Sequence, residues 1–301
     1  MTFTRRAFVS LAAALTACSR PGAEAEVDAI ARAMSRLRRQ ARRKGPPQDG
    51  EWLKEHREPG QTYAQFRGLV KAPAIESYDT LRLVPIGPLS EGQASVMNVV
   101  RDFLPVFFGL PLVEDPPVDL ASIPASAQRE HFNPDPRQQL LTTYLLNEAL
   151  MARRKPKDAA VLGITAVDLW PGEGWNFVFG QASLKERVGV WSMYRNGDPD
   201  WNYVERRRCA LRTVMTATHE TGHMFGIRHC IAYECGMNGS NSSWERDRQP
   251  LEFCPECQAK LWWTLKLDPV KRSQALEAVA RNHDLPQTAD AFARQTRTLQ
   301  G

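Results

Sequence analysis

Residues 219–230 read His219-Glu220-Thr221-Gly222-His223-Met224-Phe225-Gly226-Ile227-Arg228-His229-Cys230. Just upstream, Leu211, Met215, Thr218 and Gly222 recur along one side at helical steps and predict a helix over about 203–225. Residues four apart share a helix face, so His219 and His223 offer two imidazoles to one ion. Gly226 comes three residues later, where glycine accepts a positive φ and turns the chain. His229 then approaches the same ion from outside the helix. H-E-x-x-H alone arises by accident in under roughly one chain in a hundred, and the required Gly and third His lower that by about another thousandfold. Half of the six histidines in the chain fall in this window.

Three neutral imidazoles leave the fourth position of a zinc ion open to water, and bound zinc lowers the pKa of that water from about 15.7 toward about 7. Glu220 points away from the ligand face, toward where the water sits, and is the candidate general base. The metal polarises the scissile carbonyl at the same time. Zinc lyases and deaminases also use metal-activated water, but their ligand spacings differ from this helix, turn and histidine arrangement.

The window runs directly into cysteines. Cys230, Cys235, Cys254 and Cys257 form C-x4-C and C-x2-C pairs with 18 residues between them, a spacing suited to a closed tetrathiolate zinc site with a structural role. A pair of disulfides is the rival, with three possible connectivities. Zinc is preferred because of the Cys254-Pro255-Glu256-Cys257 knuckle. Cys209, on the predicted helix, reads as a small buried apolar residue. The expected cofactor content is therefore two zinc ions per chain, one catalytic and one structural.

Upstream, an apolar run at 81–86 closed by Gly87-Pro88 predicts a strand, and Val96, Val100, Phe103 and Leu104 predict a helix. A second strand is expected at 107–113 and a Pro-rich loop at 114–136. Leu140, Leu141, Tyr144, Leu145 and Leu150 mark a further helix, and strands follow at 159–169, 176–181 and 188–194. Strands and helices interleave early, while the later strands are too closely linked for helical crossovers. The expected fold class is α+β, a mixed sheet with helices and a long active-site helix.

With 301 residues, of which 43% are hydrophobic, the chain can build one or two packed domains, and disorder of the whole chain is excluded. Its 39 basic and 34 acidic residues leave a net charge of +5, too small to argue for nucleic acid as a partner. Beyond the first 17 residues no apolar run approaches a membrane span. Arg5 and Arg6 followed by the apolar run 7–15 form the charged and hydrophobic regions of an export signal. Thr4-Arg5-Arg6-Ala7-Phe8-Val9 resembles a twin-arginine motif, and Leu15-Thr16-Ala17-Cys18 resembles a bacterial lipobox, so Cys18 is expected to carry a lipid and tether the chain to a membrane in the cell envelope, outside the cytoplasm. A twin-arginine route would export the domain folded, with its thiolates already metallated. Residues 24–44, with Val27, Ile30, Met34, Leu37 and Ala41 at steps of three and four and seven basic residues among 32–44, predict an amphipathic helix. It is read as a solvated helix packing one stripe on the domain in preference to a binder of lipid headgroups. Residues 45–80 are read as a connector or lid.

The combination His219-Glu220-x-x-His223-x-x-Gly226-x-x-His229-Cys230-x4-Cys235-x-Met237, then Cys254-x-x-Cys257, resembles the archaemetzincins, a branch of the metzincin zinc peptidases. The likeness covers about 80–265, including Asn238-Gly239-Ser240-Asn241 and Lys260-Leu261. Sixteen residues separate Met237 from Cys254, one fewer than the family pattern. The resemblance implies a metzincin-like mixed sheet with a C-terminal zinc-knuckle subdomain. It also implies that Met237 forms the Met-turn beneath the histidines and that an edge strand containing Phe177, Val178, Phe179 and Gly180 binds an extended peptide or protein substrate. No Tyr follows Met237, where some metzincins place an oxyanion helper. The domain reading is a signal peptide at 1–17, an anchor, basic helix and connector at 18–80, a catalytic domain at 81–267 and a helical tail at 268–301. The expected function is a lipid-anchored zinc metallopeptidase; the alternative is a catalytically weak, zinc-stabilised envelope binding module.

Overall fold

The computed structural model describes residues 21–70, 76–132 and 136–301. The expected export signal and Cys18 lie outside the described residues. In chain order the elements are α1 (Pro21–Arg38), α2 (Trp52–Glu55), α3 (Tyr63–Leu69), β1 (Thr80–Ile86), α4 (Glu91–Phe108), β2 (Leu112–Glu114), β3 (Gln128–Phe132) and β4 (Pro136–Leu141). Next come α5 (Thr142–Tyr144), which continues as a π-helical turn over Leu145–Leu150, and then β5 (Asp158–Thr165), β6 (Asp168–Trp170), β7 (Gly180–Ser183) and β8 (Val188–Ser192). Helices close the chain: α6 (Tyr203–Met224), α7 (Ser243–Arg246), α8 (Pro255–Leu265), α9 (Pro269–Asn282) and α10 (Pro286–Gln300).

The larger sheet has the order β2-β1-β5-β8-β7, parallel except for the antiparallel edge strand β7. A smaller sheet, β3-β4-β6, is mixed. The fold is thus mixed α/β. β5 is buried along its whole length, which is why its sequence is a continuous apolar run and not an alternating one. In β1, side chains alternate between faces. Leu81 and Leu83 join the core formed with α4 and α6, while Val84 and Ile86 join Leu145 and Leu150 on the opposite face.

Several expected elements shift. Phe107 and Phe108 are the last residues of α4, not the start of a strand, because they extend its buried face from a Ser90–Gln93 capping box to a left-handed cap at Gly109, φ 63°. Only Leu112–Glu114 is strand there. The end of the expected loop is a polar β-hairpin, β3–β4. The strand expected at 176–181 forms only from Gly180 onward. Val178 makes a single bridge to Leu169, and the aromatic rings before Gly180 are taken up by cations, Arg195 over Phe177 at 3.5 Å and Arg246 over Phe179 at 4.3 Å. The amphipathic helix ends at Arg38 instead of 44. Its stripe of Ile30, Met34 and Leu37 is buried where α1 meets α8 and α10. Past residue 268, α9 and α10 pack as an antiparallel pair, with α9 against α4. Residues 51–70 are no free connector: α2 places Trp52 on the wall of the site described next, and α3 packs on α8.

Candidate active site

α6 begins at Asn202, whose side chain accepts a hydrogen bond from Glu205 N, and ends just after His223. Gly226, at φ 82°, reverses the chain, with Gly226 N donating to His223 O at 2.8 Å. The turn carries His229 back against the helix. Each imidazole is held by Nδ1: His219 on Gly236 O at 2.8 Å, His223 on Ile227 O at 2.7 Å, and His229 on Glu58 Oε1 at 2.8 Å. An Nδ1–H committed outward leaves Nε2 with its lone pair for a metal. The Nε2 atoms of His219 and His223 are 3.0 Å apart, and the three ligand atoms lie within 4.8 Å of one another. Four-coordinate zinc with Zn–N of about 2.0–2.1 Å sets its nitrogens about 3.3 Å apart, so the donor set fits that ion. Burial first, then the neighbouring imidazoles, holds His219 well below the usual histidine range and His223 down to about 4. Both are therefore in the neutral form a metal requires.

Beneath the helix, a Cβ added to Gly222 would lie 2.7 Å from Met237 Sδ and 3.2 Å from Phe253 Cζ. The missing side chain at Gly222 lets the fully buried Met237 press on the backbone between the two helical histidines. Met237 shapes the floor without offering a ligand.

The loop that supplies Gly236 O is tied down by the cysteines. The four Sγ atoms of Cys230, Cys235, Cys254 and Cys257 lie within 4.8 Å of one another, and those of Cys230 and Cys254 are 3.6 Å apart. A disulfide requires about 2.05 Å, whereas four thiolates around zinc at about 2.3 Å sit about 3.7–3.8 Å apart. All four are free thiols in this structure. Cys235 Sγ accepts from Met237 N at 3.4 Å and Cys254 N at 3.1 Å. The Asn238 side chain staples the loop, accepting from Cys235 N and donating to the carbonyls of Cys230 and Tyr233. Thiol hydrogen bonds from its three neighbours stabilise a thiolate at Cys230, while burial pushes the Cys235 thiol well up. Cys209 is buried apart from it, and burial raises its thiol to about 11.

The histidines open onto a cleft of about 620 Å³ lined by the 174–182 segment, Thr216, Glu220, Asn238, Arg246 and Trp52. Phe177, Val178, Phe179 and Gly180 all lie on its wall. A Cβ at Gly180 would come 3.4 Å from Glu220 Cγ, so the strand backbone runs beside the carboxylate. Burial raises Glu220 to about 7, against the opposing pull of Arg246.

Three residues at this site carried no sequence signal. Glu58 reaches His229 across 171 positions of chain. Trp52 meets the His229 ring edge-on at 5.3 Å and is fixed by Trp52 N on the Glu245 carboxylate. Arg246 lies under the cleft wall.

The profile of peptidase family M54 matches residues 129–262. Archaemetzincin-2 of Rattus norvegicus is 32% identical over 259 residues, covering 75% of this chain and 71% of the relative. Archaemetzincin of Archaeoglobus fulgidus is 32% identical over 176 residues, covering 58% of this chain and 96% of that protein. A crystal structure of archaemetzincin from Methanopyrus kandleri superposes with a TM-score of 0.49 at 29% identity, covering 63% of this chain and 97% of the other.

Proposed function

The chain belongs to the archaemetzincin family of zinc metallopeptidases, and from that premise we propose that it hydrolyses peptide bonds with the catalytic metal on His219, His223 and His229 and with Glu220 as general base. The observation that carries this reading is the orientation of the three imidazoles, each committed outward through Nδ1 with the opposite nitrogens gathered at one point beside Glu220. Bound there, zinc supplies a Lewis acid that polarises the scissile carbonyl and acidifies water. The Glu220 carboxylate, beside the point where the imidazole nitrogens gather, would take a proton from water in the cleft and return it to the leaving amine. The backbone of β7, at the free edge of the larger sheet, positions an extended peptide by strand pairing next to Glu220, with Phe177, Val178 and Phe179 contacting its side chains.

A second, structural zinc on Cys230, Cys235, Cys254 and Cys257 is part of the same proposal, supported by the sulfur spacing. A lipid on Cys18 would tether the enzyme to the membrane in the cell envelope; its support is the sequence at 4–18 alone. The expected result for Glu220→Gln is retained zinc and a wild-type melting curve with activity lowered 100- to 10,000-fold, roughly the range for loss of a general base. His223→Ala loses the catalytic metal itself. Wild-type cleavage by a zinc-loaded Glu220→Gln variant would remove Glu220 from the mechanism.

A further inference from the structure

We propose that Arg246 forms an anion subsite in the active cleft, so that the enzyme takes peptides carrying a carboxylate beside the scissile bond. This rests on the peptidase reading above for where that bond lies. Arg246 closes α7 and is only 6% exposed. Its Nη1 donates to Thr216 Oγ1 at 2.8 Å and its Nη2 to Asn196 Oδ1 at 2.6 Å, and the guanidinium stacks on Phe179. Nε has no hydrogen-bond partner among the described residues. Of the five N–H groups of a guanidinium, most are thus unspent.

Among the described residues no carboxylate lies within ion-pair distance of Arg246, although Glu220 and Asp247 act on it from farther away. Its neighbour Asp247 is instead engaged by Arg212, at 2.8 Å from Nε. A charge this deeply buried is ordinarily paired, because desolvation without a counter-charge is costly. Burial lowers Arg246 only to about 10, so it remains a cation at neutral pH.

Its position fits a substrate group. Thr216 and Glu220 are four residues apart on α6 and share a face, so the guanidinium bonded to Thr216 lies roughly one helical turn, about 5–6 Å, along the helix from the general base. That is within reach of a side chain flanking the bond that Glu220 serves. Among the described residues lining the cleft, Glu220 is the one acidic side chain; Asn238, Ser240, Asn241 and Gln249 are neutral hydrogen-bonding groups. With a dication on the histidines, that ion and Arg246 would outweigh the Glu220 and Glu58 carboxylates, leaving the cleft net positive and complementary to an anionic peptide. An arginine fork matches a carboxylate in two parallel hydrogen bonds.

The test uses full-length, zinc-loaded Glu220→Gln protein, so that binding is measured without turnover. N-acetylated peptides of one sequence carry Glu or Gln at one position at a time, each with a free or an amidated C-terminus, and affinities are read by calorimetry. At one position the carboxylate peptide is expected to bind roughly ten- to a hundredfold tighter than its amide twin, the range for a hydrogen-bonded charge. The amidated arm separates a side-chain carboxylate from the chain terminus. Adding Arg246→Gln is expected to abolish the difference. Should that variant fail to fold, Arg246→Lys, which keeps the charge and loses the fork, is expected to reduce the preference. Equal or undetectable binding of the Glu and Gln peptides overturns the subsite, as does a preference that survives Arg246→Gln. Wild-type cleavage is scored separately: a carboxylate preference in binding without any cleavage sinks the peptidase reading and leaves the subsite standing, whereas cleavage without that preference does the reverse.

Discussion

His229 and Cys230 are neighbours in the chain, yet they belong to two candidate ligand sets of opposite character. The four thiols are between 0% and 6% exposed, closed by their own number, and surrounded by backbone N–H groups and the Asn238 amide. The three imidazoles face a cleft and leave one side of their convergence point open. A closed set contributes to folding, since its ligands come together only in the native chain; an open set contributes chemistry and depends on something else to hold its geometry. Here the closed set does so. Cys230 fixes the residue after His229, Cys235 fixes the residue before the carbonyl that orients His219, and Cys230 N bonds Met237 O at 2.7 Å, tying the floor to the same loop.

Breaking the closed set therefore has the largest expected effect. With the proposed zinc on the cysteines, Cys257→Ser would forfeit much of a metal-coupled folding energy that is about 10–16 kcal/mol for structural zinc, and it would also disturb the loop that orients His219. The expected outcome is loss of the cooperative melting transition together with activity, although every histidine is intact. A wild-type melting curve for this variant would mean that the cysteines hold no structural metal.

Stepwise chelation separates the two sets without mutation. A small chelator reaches the open set through the cleft, so the first zinc released is expected to abolish activity while far-UV circular dichroism is unchanged. Release of the second is expected only as the signal collapses. Simultaneous loss of both metals, or unfolding with the first, would contradict the division of labour between them.

A smaller effect probes the floor they share. In a solvated helix Gly→Ala is stabilising by roughly 1 kcal/mol. At Gly222 the new Cβ would meet Met237 Sδ at 2.7 Å in a packed interior, so Gly222→Ala is expected to destabilise by about 1–3 kcal/mol as overpacking does. Chemical denaturation measures this directly, and a stabilised variant would show that Met237 does not press on the helix.

The readable part of the molecule was the part whose signals are local. Both ligand sets lie between His219 and Cys257, and the helix that starts them has an apolar stripe long enough to place its end within a residue of the observed one. What escaped detection depends on distant partners. The β3–β4 hairpin is built of residues such as Gln128, Arg129, Gln138 and Gln139 that give no alternating apolar signal; Gln139 is buried because its amide donates to Asp168 and to Asn176 O. Residues 51–70 look like a polar linker because their fold is imposed from elsewhere: Tyr63 N on Glu256, Lys260 Nζ on Gln61 O, and Arg228 N on the Gln61 side chain. The edge strand was misplaced by four residues because Phe177 and Phe179 supply the right alternation, yet ahead of Gly180 the chain is tied to its neighbours by isolated bonds, Val178 N to Leu169 O and Ser192 N to Phe179 O, while arginines cover the two rings.

Glu58 belongs to that imposed segment and gives the finest test of how the open set is held. His219 and His223 are oriented by backbone carbonyls, which no substitution of their own residues removes, whereas His229 relies on a side chain, the Glu58 carboxylate at 2.8 Å. Glu58 also lies outside the residues matched by the family profile. A carboxylate behind a ligating imidazole fixes its tautomer and raises its basicity, and loss of such a partner typically costs about 10- to 100-fold in metal affinity. Glu58→Gln retains an acceptor for Nδ1–H and removes only the charge, so about a tenfold weaker affinity for the catalytic zinc is expected, at the low end of that range. Glu58→Ala removes the acceptor as well and is expected nearer the high end. Competition with a chromophoric zinc indicator reads both without reference to turnover, and the cysteine set provides the internal control, since its zinc should be unaffected. A merely structural role for Glu58 would loosen the 51–70 segment alike in both variants and give equal affinities for Gln and Ala. The graded order wild type, Gln, Ala is the signature of a residue acting through His229, and an unchanged affinity in the Ala variant would assign the orientation of that imidazole to Trp52 and the turn at Gly226 instead.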